Sequence, residues 1–397
     1  MKRTLFIIGI IIIVILAGVL LFLLFANDDQ KRDIFSAFDF GDGTDSAVIL
    51  DTIVDAMTPG EDRPAALRQL TLKRVVGATE LNPTASSSSI IVYFVEAGTG
   101  HVFSLDVESG AENRLSNITV PTANEAVINA TGNYALILSG GQSAGRELTL
   151  VTLPGVNREL TSLGFNERVE QATLTSDDKV LYTTVAGNVL IAREYTIATN
   201  ETRTLFTLPF KEATVRFPKK SSGSIYAYPK TAQFLESYVY EINGGVISRL
   251  PFSGYALTAT GEQNIILITA YQSGTYETSL YDTTQKGRQL LPFNTIAEKC
   301  SFIGDANTLY CGIFSDTTDE TPIKWYQGIL TTTDVLFRIN EFGEMVSLVD
   351  LKETSGRDID VIHLTGSTDA ARLYFVNKLD GTLWIYDQTI AAENTAL

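Results

Sequence analysis

A tetrapeptide of β-branched and aromatic residues returns along this chain at nearly constant distance, and that regularity limits the possible folds more than any composition does. It reads "IVYF" from Ile91, "YALI" from Tyr134, "VLYT" from Val180, "SIYA" from Ser224, "IILI" from Ile265, "TLYC" from Thr308 and "RLYF" from Arg372. Measured at the third position, the steps are 43, 46, 44, 41, 43 and 64 residues. Each tetrapeptide is followed by a second apolar run ending in a polar turn, as in "HVFSLDVESG", "YVYEINGG" and "TSLYDTTQKG". A third run such as "RELTSL", "VISRLPF" or "RQLLPF" then closes most units. With the segment before each tetrapeptide, that makes four short strands per unit, and no long helical periodicity interrupts them.

Four antiparallel strands every ~40 to 45 residues is the repeat of a β-propeller blade. In its order of strand, "LY", strand, "D-x-x-[ST]-G" turn and strand, the stretch from Leu67 to Gln388 resembles the TolB-like and WD40-like (PD40-type) propeller families. The resemblance implies an all-β architecture and no particular activity, since propellers host many functions. Counting units gives a seven-bladed ring, with a six-bladed ring as the alternative and two stacked sandwiches a poorer match to the spacing. The last unit, "DIDVIHLTG", "ARLYFVNK" and "TLWIYDQ", lacks a fourth strand, and "LRQLTLKR" before the first unit is free to supply it. The propeller is therefore expected over 67–390, closed by its N-terminal strand so that no edge stays open.

Ahead of the repeats, Leu5 to Phe25 holds 21 uncharged, mostly apolar residues, enough to cross a bilayer as a helix. It is longer than the apolar core of a cleaved signal peptide and ends in "FANDDQ" without an A-x-A site, so residues 1–26 read as an uncleaved anchor. Lys2 and Arg3 before it and Asp28 and Asp29 after it keep the N-terminus cytoplasmic and place the remainder outside the membrane. Residues 27–66 form an acidic stalk, in which Asp39, Asp42 and Asp45 of "DFGDGTD" have neither calcium-loop spacing nor a closing Glu.

Outside the membrane a disulfide persists. The only cysteines, Cys300 and Cys311, flank a turn at Gly304 to Asn307 with three residues on each side, which sets them opposite one another across a hairpin. A structural disulfide follows; zinc would want two more ligands and a redox pair closer spacing.

Chemistry-bearing residues are few. The chain has 46 acidic against 30 basic residues, a net charge of −16, which argues against nucleic acid as a partner. His101 and His363 alternate with apolar neighbours as packed strand residues do, and no metal or cofactor motif accompanies them. "GQSAG" around Ser143 fits G-x-S-x-G but sits between two strands instead of at a strand-helix elbow. First strands that would line a central channel offer mainly Arg216 and His363. No catalytic residue is expected.

The 64-residue step reveals an insertion, "SDTTDETPIKWYQGILTTT" (Ser315 to Thr333), which carries Trp325 and Tyr326 beside Asp316, Asp319 and Glu320. In this strand order it emerges on the same face as the loops bearing Phe234, Tyr271 and Tyr276. Together these aromatics form a candidate partner-binding surface, with burial of Trp325 against the ring as the alternative. The expected function is a membrane-anchored, extracytoplasmic binding or scaffolding module whose partner is an envelope protein or polysaccharide. A propeller enzyme or lectin acting on glycans or small molecules in the channel, and a component of a secretion or pilus assembly, are the alternatives.

Overall fold

The structure, a computed structural model, describes residues 65–395 apart from 83–88, 142–144, 156–158, 273 and 315–319. The apolar run 5–25, the acidic stretch up to residue 64, Ser143, Asp316 and Asp319 lie outside the described residues. Among the described residues no helix is long and apolar enough to cross a membrane.

The chain folds into antiparallel sheets in which, apart from the first strand, Leu67–Gln69, the strands follow one another in chain order. Five of them have four strands and one has seven, among the described residues. Local chemistry explains the order. In "DVESG", Asp106 Oδ1 accepts from the backbone N–H of Glu108 (3.1 Å) and of Ser109 (2.9 Å), and these bonds hold its pKa below the usual carboxylate value. Asp282 does the same for Thr284 (2.8 Å) and Gln285 (3.0 Å). Such Asx turns reverse the chain within a few residues, so each strand pairs with its predecessor.

The seven-stranded sheet contains one strand of 17 residues, Val246–Glu262. Its first part pairs with Ser237–Asn243 as far as Gly254, and from Tyr255 onward it pairs with Ile265–Gln272. It is thus the last strand of one four-stranded unit and the first strand of the next. A register shift between Tyr255 and Thr258, with Ala256 at φ 49°, marks the change of partner.

The first strands pack side by side in sequence, Val75–Glu80 next to Ala123–Ile128, then Val169–Leu174, and the series closes where Val361–Gly366 returns to Val75–Glu80. They approach closely. A Cβ on Gly77 would fall 2.1 Å from the carbonyl oxygen of Ala126, so only glycine fits there.

Cores lie between sheets, one for each adjacent pair. Val76, Val95 and Val102 meet Ala126, Ile137 and Val151 between the first two sheets, and Ile303, Tyr310 and Leu336 meet Leu364, Phe375 and Trp384 between the last two. Each second strand is consequently covered on both faces. Tyr134–Ser139 is buried at every residue but the first, which is why the tetrapeptides read as continuous apolar runs instead of alternating.

The strand Leu67–Gln69 pairs with Leu383–Asp387, Leu67 opposite Tyr386 and Gln69 opposite Trp384, and takes the outer place in the last sheet. A second clasp joins the first sheet to the last. Arg372 grips Glu80 with two hydrogen bonds (2.9 and 2.8 Å), and Tyr374 donates to the same carboxylate (2.6 Å).

Cys300 and Cys311 stand directly opposite each other across the hairpin and are joined in a disulfide, as their spacing predicts.

Candidate functional site

One group of polar side chains is brought together from four different parts of the chain. Arg216 ends the first strand Ala213–Arg216, and Tyr228 lies on the strand hydrogen-bonded to it. Glu298 stands on a 3-10 turn, Ala297–Lys299, that is fixed by the Ala297 N–H donating to Thr258 Oγ1 (3.2 Å). Tyr326 ends the short helix Thr321–Tyr326 of the insertion, which starts with Pro322 in its first turn.

Arg216 donates to Glu298, to the Tyr228 hydroxyl (3.3 Å) and, through Nε, to the carbonyl of Ala259 (3.1 Å). Burial opposes its charge, but the neighbouring Tyr228 and Glu298 outweigh that cost and hold its pKa above the ordinary arginine value. On the phenols burial acts with the opposite sign. Burial, followed by the charge on Glu298, pushes Tyr276 up and Tyr326 well up, so both stay protonated hydrogen-bonding groups. Glu298 Oε2 and the Tyr276 hydroxyl are buried with no hydrogen-bond partner. A buried orphan of this kind costs roughly 1–3 kcal/mol, and a bound group would satisfy it.

Of the proposed surface aromatics, Phe234 is 86 % exposed and Tyr326 is 43 % exposed; Tyr271 is half-buried. The Tyr326 ring packs edge-on against Trp325, and its hydroxyl lies among Glu298, Tyr228 and Arg216. The Phe234 loop meets the insertion where Gln233 Nε2 reaches Glu320 (3.4 Å). Leu235 and Tyr255, which the sequence reading passed over, are also exposed here, and Tyr255 stands opposite Tyr271 in the sheet.

Trp325 and Tyr276 depart from the expectation of a partner-facing surface. Trp325 is 4 % exposed. Its indole N–H is shared between the two oxygens of Asp360 (3.0 Å each), and the Lys378 ammonium sits 3.7 Å from its ring centre. An indole needs an acceptor when buried, and Asp360, immediately before the strand Val361–Gly366, provides one, so Trp325 turns inward. Tyr276, opposite Tyr271 on the hairpin, lies against Glu298 and is buried.

Below Trp325 lies a second cluster that the sequence reading missed. Lys299 is fully buried, with Nζ 2.6 Å from Asp334 Oδ2 and 2.5 Å from Asp360 Oδ1, and both carboxylates are fully buried too. The signal was a lysine beside an apolar strand start, "AEKCSF", with "TTTDVLF" and "DIDVIHL" further on.

The remaining candidates are dispersed. His101 contacts Thr119 (3.0 Å) and lies 3.5 Å from Glu96. His363 occupies a bulge in its strand at φ 51° and is exposed. Neither joins Arg216 through a hydrogen bond. Among the described residues no three His, Cys, Asp or Glu side chains are placed to hold a metal ion.

No family model matches the chain, and no curated protein does. Solved structures match over most of its length. An oligogalacturonate lyase from Vibrio parahaemolyticus aligns with TM-score 0.55 at 10% identity, over 81% of this chain and 93% of that one. YCF48 bound to D1 peptide aligns with TM-score 0.53 at 9% identity, over 81% and 96%. The β-propeller domain of the Trilobed protease from Pyrococcus furiosus aligns with TM-score 0.51 at 10% identity, over 79% and 94%. At such identities the likeness concerns architecture alone, and with the closed series of sheets it makes this fold a β-propeller.

Proposed function

We propose that the chain is a membrane-anchored, seven-bladed propeller that works as a non-catalytic binding module at the cell envelope, taking its partner on the face that carries the insertion. The blade count rests on dividing the seven-stranded sheet at Gly254 and Tyr255 into two units that share a strand. The apolar run at 5–25 supports the anchor. The disulfide is in keeping with an oxidising compartment.

One observation carries the binding reading. Phe234 and Tyr326 are exposed on loops that meet through Gln233 and Glu320, and beside Tyr326 the buried Glu298 Oε2 and, near it, the buried Tyr276 hydroxyl have no partner. Aromatic area beside unsatisfied polar groups is the composition of a recognition surface. Against catalysis, Arg216 and Glu298 are committed to each other and His363 stands apart. The named neighbours include a lyase and a peptide-bound protein, so the fold is compatible with either class. Of the two partner classes, the exposed aromatics favour a protein.

The test is capture of partners from detergent-solubilised native membranes by the full chain and by a Phe234→Ala, Tyr326→Ala variant. Loss of about 2 kcal/mol or more of binding in the variant, at unchanged melting temperature, is the expected result. Equal capture by both proteins would refute the surface. Recovery of a saccharide in place of a protein would favour the lectin reading.

A further inference from the structure

The triad of Lys299, Asp334 and Asp360 has a composition that simple structural pairing does not require. One ammonium meets two carboxyl groups where none of the three is exposed. The rings of Phe314 and Trp325 wall the site, each centred 5.4 Å from Nζ. The packing is tight, since a Cβ on Gly312 would come 2.9 Å from Asp334 Oδ2.

The two acids are held differently. Asp360 accepts from three donors, Trp325 Nε1 on both oxygens, the Thr332 N–H (3.2 Å) and Lys299. Asp334 accepts on Oδ2 from Lys299 and from the Val361 N–H (2.7 Å), while its Oδ1 is buried without a partner. Burial pushes its pKa up against the pull of Lys299. With fewer donors on its oxygens than Asp360, it is the acid that enters the proposed reaction in its protonated form.

The geometry points to a covalent amide between Lys299 Nζ and Asp334 Cγ, formed by the folded protein itself with loss of one water. Asp360 takes a proton from the ammonium and frees the amine. The amine attacks the carbon of the Asp334 carboxylic acid, whose carbonyl oxygen Oδ2 is polarised by the Val361 N–H, as an oxyanion-hole donor acts. The bond from that carbon to Oδ1 breaks, and Oδ1 departs as water with the second ammonium proton, while Asp360 keeps the first. Before reaction the triad holds an ammonium, a carboxylic acid and a carboxylate; afterwards it holds an amide, a carboxylic acid and water. No charge stays buried. Desolvated charges are costly, and fixed proximity of the reacting groups replaces a large part of the barrier. The new bond would close a loop around both the disulfide and the insertion.

Peptide mapping of the full-length protein by mass spectrometry, after unfolding and reduction, decides it. Expected is a peptide containing Lys299 joined to one containing Asp334, lighter than their sum by one water and resistant to trypsin at Lys299. Lys299→Met removes the link. Asp334→Asn forms it with loss of one ammonia instead of water, a signature that misfolding cannot mimic. Asp360→Asn, folded by circular dichroism, leaves the two peptides separate. Wild-type protein that is folded, with its disulfide formed, and yields Lys299 and Asp334 in separate peptides of unmodified mass overturns the proposal; so does a link to Asp360.

Discussion

At the residue scale, buried polar groups show most clearly what holds a blade. Glu194 is 2 % exposed and receives Arg203 Nε and Nη2 on its two oxygens (2.8 and 3.0 Å), with Lys179 3.3 Å away. The hydrogen bond from Arg203, above all, holds its pKa below the unfolded value. A carboxyl depressed in the folded state stabilises above its unfolded pKa, and that contribution fades as pH falls through the folded value. Because the Arg203 side chain is 67 % exposed, water screens the pair. Glu194→Gln is thus expected to cost about 1 kcal/mol at neutral pH, with the gap to wild type closing in acid when urea unfolding is followed at both pH values. Trp325→Phe keeps an aromatic ring but gives up part of the indole's volume and takes one donor from Asp360, for an expected loss of about 1–3 kcal/mol or more in the same measurement. A smaller loss would mean that water replaces the indole N–H.

At the scale of elements, the hairpin bearing Cys300 and Cys311 is the shortest paired unit at the ring centre, with three residues, Cys300–Phe302, in its first strand. So short a strand has few ladder bonds to keep its register. The disulfide supplies what the ladder lacks, and it stands directly beneath the segment that leads into the insertion. Replacing both cysteines by serine is expected to lower stability by about 2–3 kcal/mol on the chain-entropy account, read as a lower urea midpoint with unchanged slope. A changed slope would show instead that the variant's native state had opened.

At the scale of the whole molecule, stability depends on closing the ring, because each core lies between two sheets and the first and last sheets would otherwise each present a bare face. Leu67 packs in one cluster with Trp384 and Tyr386, and its strand covers the outer edge of Leu383–Asp387. Leu67→Asp removes about 1.5–3 kcal/mol of burial and sets a charge among aromatics. Removing the strand altogether leaves an unpaired edge, and edges recruit other chains. The expected outcome for a chain beginning after Gln69 is concentration-dependent association in light scattering at temperatures where the intact protein is monodisperse. A monodisperse truncation would show that the Glu80, Arg372 and Tyr374 clasp alone suffices.

Repeat spacing and turn chemistry are local, and local signals are written in sequence. The Asx turn at Asp106, the buried runs of the second strands and the opposition of Cys300 and Cys311 all follow from residues within about a dozen positions of one another. Long-range pairing is not written that way. Lys299 finds Asp334 and Asp360 at sequence separations of 35 and 61, and Arg216 finds Glu298 across 82 residues, so neither association shows in any window of the chain. The insertion makes the same point from the other side: its aromatic content was legible, but Trp325 turned inward because Asp360, immediately before the strand Val361–Gly366, was waiting for its indole N–H. Sequence by itself determined the blade, since a blade is a run of adjacent hairpins. Only the tertiary structure decided what stands at the centre of the ring, since that depends on which side chains the closure of distant blades brings within hydrogen-bond reach.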